Sequence, residues 1–144
     1  MRLILDADEY IFGFDDVNGK PQSIALIDRI TTLMNILEDF AIIVPDIIRD
    51  EVQRNMPYYL LGKFYRFVAS NSKVVYGFLY DVPQSLYNKY RQLGLKEGDA
   101  TIAAFAEWQK ADFFISENRH IYQELKVGAF ITCSAEEFML WHCP

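Results

Sequence analysis

Leu3-Ile4-Leu5-Asp6-Ala7-Asp8, at the start of the chain, is an apolar run that stops on a carboxylate and meets a second one two residues later. A short continuous apolar run of this kind reads as a buried strand, here residues 2 to 6, that ends by presenting acid. The same pattern, an apolar strand or run handing over to an acid-bearing turn or helix, recurs further along. It appears at Ile47-Ile48-Arg49-Asp50-Glu51-Val52, at Glu97-Gly98-Asp99-Ala100-Thr101 and at Phe114-Ile115-Ser116-Glu117-Asn118-Arg119. Carboxylates gathered at the ends of parallel strands repel one another, on the order of 4 kcal/mol for a pair about 4 Å apart at an effective dielectric near 20. A hard divalent cation, Mg2+ or Mn2+, compensates such a cluster and in turn recruits phosphate. The pattern therefore points toward phosphodiester chemistry.

Outward from these stretches the chain alternates strand and helix. Residues 12 to 21 carry Asp15, Asp16, Asn18 and Gly19 and read as a loop. Between Gln22 and Glu38 apolar residues recur at helical spacing (Ile24, Ile27, Ile30, Leu33, Met34, Leu37), followed by a buried strand over residues 41 to 44. Pro45 and Asp46 open the next helix, where the missing proline N–H is harmless, and Glu51 rides one turn beyond its apolar face. An aromatic helix over 58 to 69, a strand over 73 to 78 weakened by Gly77, and a polar helix from Val82-Pro83 to Leu93 ended by Gly94 come next. Asp99 is expected to begin a buried, alanine-rich helix. Strands over 113 to 115 and 129 to 131 should flank a helix from 117 to 125, and Ser134-Ala135-Glu136-Glu137 resembles a capping box for a terminal helix. This order predicts a three-layer α/β/α sandwich with a central, mostly parallel sheet, whose ligands gather at the carboxyl ends of the strands.

Composition narrows the alternatives. The 144 residues suit a single domain over residues 1 to 144, and 51% hydrophobic with 15% aromatic content excludes intrinsic disorder. No apolar run approaches the roughly 20 residues needed to cross a bilayer, and the N-terminus lacks a secretory core, so a soluble, cytoplasmic protein with no membrane partner is expected. Cys133 and Cys143 lack metal-type spacing and read as reduced thiols, and two histidines are too few for an imidazole-built metal site. The net charge of −6 argues against a DNA-coating protein. Arg49, Arg54, Lys63, Arg66, Lys89, Arg91 and Lys96, clustered in mid-chain, could still rim a phosphate-binding groove or simply be solvated. Trp108, Trp141 and most tyrosines are assigned to the core rather than to base stacking.

The strand ending in Asp6-Ala7-Asp8, the Pro45-led helix with Glu51, Gly98-Asp99-Ala100 heading a buried helix and Ser116-Glu117-Asn118-Arg119 after a strand together resemble the PIN-domain ribonucleases. The resemblance spans residue 2 to about 140. It implies a metal-dependent endoribonuclease, a hydrolase in which acids hold one or two Mg2+ or Mn2+ ions and an activated water attacks RNA. Asp6, Glu51 and Asp99 match its catalytic, metal-binding acids. Asn118 stands where the family has a fourth acid; its amide oxygen brings no charge, and Glu117 or Asp8 is left as a substitute. The resemblance further implies the toxin of a toxin–antitoxin pair, with an antitoxin protein as partner and a homodimer for which the aromatic helix offers an apolar face.

Blander readings stand beside these. Asp6 could end a strand in a turn, Glu51 could be a solvated helix residue, and Asp99 could be an ordinary helix cap. A non-catalytic RNA- or protein-binding module on the same scaffold is the main rival. The opening Asp6-Ala7-Asp8 also resembles haloacid-dehalogenase-type phosphatases, but Lys96 and Asp99 stand too close together to serve as that family's lysine and later acid. A receiver-like phosphoacceptor lacks its central lone aspartate.

Overall fold

A computed structural model describes residues 1–142. Strand β1 (Arg2–Leu5) buries Leu3, Ile4 and Leu5 completely and forms the middle of a five-stranded sheet. Its neighbours are β2 (Ala41–Pro45) and β4 (Phe113–Ile115), with Leu3 in register with both Ile42 and Phe113. The edges are β3 (Val74–Gly77), beside β2, and β5 (Ile131–Cys133), beside β4. The spatial order is β3-β2-β1-β4-β5 and every pairing is parallel, so the expected mostly parallel sheet is parallel throughout. Helices flank it: α1 (Ala7–Gly13) packs on α2 (Pro21–Ile36) and α3 (Asp46–Asn55), and α2 packs on α7 (Ala135–His142). Along the chain, α4 (Leu61–Ala69) lies against β3, while α5 (Gln84–Gln92) pairs with α6 (Glu97–Trp108). No helix among the described residues is long and apolar enough to cross a membrane.

Several elements differ from expectation for identifiable reasons. Helix α1 occupies residues that read as a motif followed by a loop; Asp6 caps it with an extended backbone and a side-chain bond to Ala7 N. The strand expected over 129 to 131 lies at Ile131–Cys133. Thr132 continues the strand and is buried with its hydroxyl donating to Leu125 O at 2.8 Å. The helix expected over 117 to 125 contracts to a π-helical turn, His120–Glu124. Asn118 withdraws from it by accepting the His120 N–H on its own side-chain oxygen, 3.0 Å away. The capping box at α7 is present, with Ser134 N donating to Glu137 Oε1 and Glu137 N to Ser134 Oγ, both at 3.2 Å.

Gly77 explains why an unpromising sequence is a strand. A Cβ at this position would lie 2.3 Å from Phe105 Cζ, so the ring of an α6 residue occupies the space a side chain would need. Most tyrosines, by contrast, are not core: Tyr58, Tyr59, Tyr65, Tyr76 and Tyr80 are exposed, as is Trp141, and only Tyr10 and Tyr90 are fully buried. In the aromatic segment the core is reached by Leu60 and Phe64, which leaves neighbouring rings on the outer face. Cys133 is a buried free thiol whose pKa burial pushes up to about 12; Cys143 lies outside the described residues.

Candidate acidic site at the carboxyl edge of the sheet

Because the strands all run one way, their C-terminal ends share one edge, and β1 and β4 place Asp6 and Ser116 there side by side. The junction is tight: Asp6 N donates to Ile115 O at 2.9 Å and Ser116 Oγ donates to Asp6 Oδ2 at 2.7 Å. Asp6 Oδ1 accepts the Ala7 N–H at 2.9 Å. These bonds favour the carboxylate, yet burial outweighs them and raises the Asp6 pKa from its ordinary value, with Asp8 and Asp99 adding like charge. Ser116 figures in the sequence only as part of a motif; its role as the donor that aims Asp6 comes from strand adjacency, which no local pattern shows.

Glu51 reaches this edge on α3, which starts directly after β2 at Pro45. Burial raises its pKa; the charge of Asp6 and then Asp8 pushes the same way, against the guanidinium of Arg54. Asp99 lies in the first turn of α6, inside the helix and not at its cap, which is Lys96. The competing reading of Asp99 as a helix cap therefore fails. Its carboxylate stands 3.9 Å from His120 Nε2 and is one quarter exposed. Asp6, Asp8, Glu51 and Asp99 thus share one electrostatic neighbourhood with Asp6 at its centre. Asp6 is the member through which Glu51 and Asp99 are linked by charge at this edge.

The remaining expected residues are placed differently. Asn118 is exposed, with its N–H donating to Ser116 Oγ at 3.1 Å and its side-chain oxygen accepting from His120 N. Glu117 turns to the start of α7, where its Oε1 accepts Ala135 N at 2.9 Å. Of the two substitutes considered for the fourth acid, Asp8 is the one whose charge acts on both Asp6 and Glu51. The expected basic rim is divided: Lys89 pairs with Glu107 at 2.6 Å, Lys63 with Asp16 at 3.4 Å, and Arg49 with Asp50 at 3.4 Å. Arg54 is the base whose charge acts on the acidic centre.

One acid beneath the site had no role in the sequence reading. Glu9 is completely buried on α1; Ser23 Oγ donates to its Oε1 at 2.8 Å, while its Oε2 has no partner. Burial, then the charge of Glu117, raises its pKa to about 8, so Glu9 favours the protonated form. Recognising α1 as a helix was the missing signal, since only then does Glu9 fall on a buried face.

The donor set is hard oxygen, and burial first, with neighbouring carboxylates adding to it, has raised Asp6 and Glu51, which suits Mg2+ or Mn2+. Among the described residues no three His, Cys, Asp or Glu side chains already form a closed ligand set. Mg2+ does not need one, because it usually keeps several waters and takes one or two carboxylates.

No family model matches the chain, and no curated protein matches it. Among solved structures it is similar to a chain of VapBC2 from Rickettsia felis bound to a DNA fragment from their promoter. The likeness has a TM-score of 0.66 at 15% identity and covers 93% of this chain and 98% of that one. At that identity it speaks for the fold alone, which is PIN-like: α/β, with a five-stranded parallel sheet between helices.

Proposed function

We propose that this single domain is a divalent-cation-dependent endoribonuclease and the toxin of a toxin–antitoxin pair. The observation that carries the reading is Asp6, a largely buried carboxylate at the central strand end, bonded to Ser116 across the β1–β4 junction and in charge contact with Asp8, Glu51 and Asp99. Concentrating like charge where burial penalises it is poor design for a structural corner and good design for holding a cation. Asp6, Glu51 and Asp99 would hold Mg2+ or Mn2+, with Asn118 contributing an amide oxygen. Such an ion lowers the pKa of a water and polarises a phosphodiester oxygen. Within this arrangement Ser116 fixes the direction of Asp6, Arg54 favours the ionised form of Glu51, and Glu51 on its longer arm can take or orient a proton-bearing nucleophile. The likeness to VapBC2 supports an antitoxin partner; the exposed aromatic segment around Tyr58, Tyr59 and Tyr65 supports a homodimer.

A cleavage assay on single-stranded and structured RNA tests this, with Mg2+, Mn2+ or chelator, using wild type, Asp6→Asn and Asp99→Asn. Cation-dependent cleavage by wild type that Asp6→Asn loses, and that Asp99→Asn keeps only at a raised cation concentration, is the expected result. Indistinguishable, cation-independent behaviour of all three would sink it in favour of a binding module, the reading that the turn-forming role of Asn118 supports.

A further inference from the structure

Between α5, α6 and the His120–Glu124 turn lies a cavity of about 270 Å3 for which the acidic centre alone gives no role. Leu93, Leu95, Ile121 and Leu125 form its walls, and Asp99 and His120 its polar end. The chain builds it deliberately: α5 stops at Leu93, Gly94 turns at φ +94°, a conformation that strains any other residue, and Leu95 N returns to Tyr90 O at 3.3 Å. The volume lies just below the roughly 300 Å3 at which sites for drug-sized ligands begin, leaving room for one ring system. Asp99 belongs both to this cavity and to the charge cluster around Asp6, so an occupant sits directly beside the acids.

The geometry points to a subsite for one unstacked nucleobase of the RNA, the base adjoining the phosphodiester presented to Asp6, Glu51 and Asp99. It rests on the nuclease reading above. A base has flat apolar faces and a polar edge, which matches leucine and isoleucine walls closed by Asp99 and His120. Among the described residues no lysine or arginine lines the cavity, so a phosphate is better placed outside it, at the acidic edge. Recognition of single-stranded RNA proceeds by splaying bases out, stacking them on side chains such as histidine and hydrogen-bonding their edges. Apolar walls sort occupants by size more than by hydrogen bonding, so discrimination among bases at this position is modest, about 10- to 200-fold at most.

The test has two arms on the full chain. In the first, adenosine and uridine 5′-monophosphates are titrated in Mg2+ against ribose 5-phosphate, reading the His120 imidazole signals by NMR. Nucleotides should bind at least tenfold tighter than the base-free sugar phosphate, and Leu93→Trp, which fills the cavity from an exposed position, should remove that difference. In the second, one abasic residue is walked along a cleavable RNA. Cleavage by wild type should fall at least tenfold when it occupies one position next to the cut, and Leu93→Trp should lose this dependence. Equal binding of ribose 5-phosphate, or an unchanged base dependence in Leu93→Trp with the fold intact by circular dichroism, overturns the subsite. Cleavage without base dependence retires the subsite and keeps the nuclease. Base-dependent binding without cleavage does the reverse.

Discussion

Asp6 and Asp99 are both aspartates near a helix start at the same sheet edge, yet they are held in opposite ways. Asp6 lies outside α1 as its cap, with one oxygen on Ala7 N and the other on Ser116 Oγ, and burial raises its pKa. Asp99 lies inside the first turn of α6, one quarter exposed, with His120 Nε2 3.9 Å from its carboxylate. Glu51 resembles Asp99 in riding a helix. The centre is therefore one fixed acid locked to the sheet and two adjustable acids brought to it by helices. Fixing one point and leaving the others on helices would let the proposed cluster close on an ion without strain in the core.

The sharpest way to break that division is Asp6→Asn. Cation-dependent cleavage should fall by at least about 100-fold. The thermal midpoint in chelator should rise, because an amide keeps hydrogen bonds to Ala7 and Ser116 without a buried charge. A fall in both would make Asp6 only a cap. Glu51→Gln and Asp99→Asn should raise the Mg2+ concentration for half-maximal cleavage on the order of tenfold, with stability unchanged. If either matches Asp6→Asn in loss at saturating Mg2+, the distinction between fixed and adjustable acids is wrong. Ser116→Ala should reduce turnover by several-fold and stability by about 1 to 2 kcal/mol through the lost bond to Asp6. Unaltered turnover there would show that Asp6 needs no aiming.

The smallest effect concerns the layer beneath. Glu9 is protonated in the folded chain up to about pH 8 but only to the ordinary carboxylate range once unfolded. The folded state therefore binds the extra proton between those limits, and stability falls as pH rises through them, by up to about 1.4 kcal/mol per unit for one proton. Glu9→Gln, which carries the donor permanently, should flatten that slope in thermal melts from pH 5 to 8. A wild-type slope that survives the substitution would clear Glu9 of the effect.

Where the sequence was legible, one residue type decided the matter within a few positions. The run ending in Asp6, the Pro45 helix start and the Ser134–Glu137 box all kept their expected forms. The layer order followed, because alternating strands and helices leave few other arrangements. What stayed hidden depends on neighbours distant in sequence. Ser116 touches Asp6 across 110 positions, Thr132 hides its hydroxyl on Leu125, and Glu9 finds Ser23 only after α1 and α2 have packed. Exposed tyrosines misled for the complementary reason: an aromatic ring suits core and surface alike, and only packing decides.

The space that Gly77 leaves to Phe105 has a consequence for how the centre could be tuned. Phe105 stands six residues, roughly 9 Å of helix, from Asp99 on the same rod. Bulk added at the outer strand would push on that rod, so an alteration at a position bearing no functional group at all could detune the proposed centre while every acid remains in the chain.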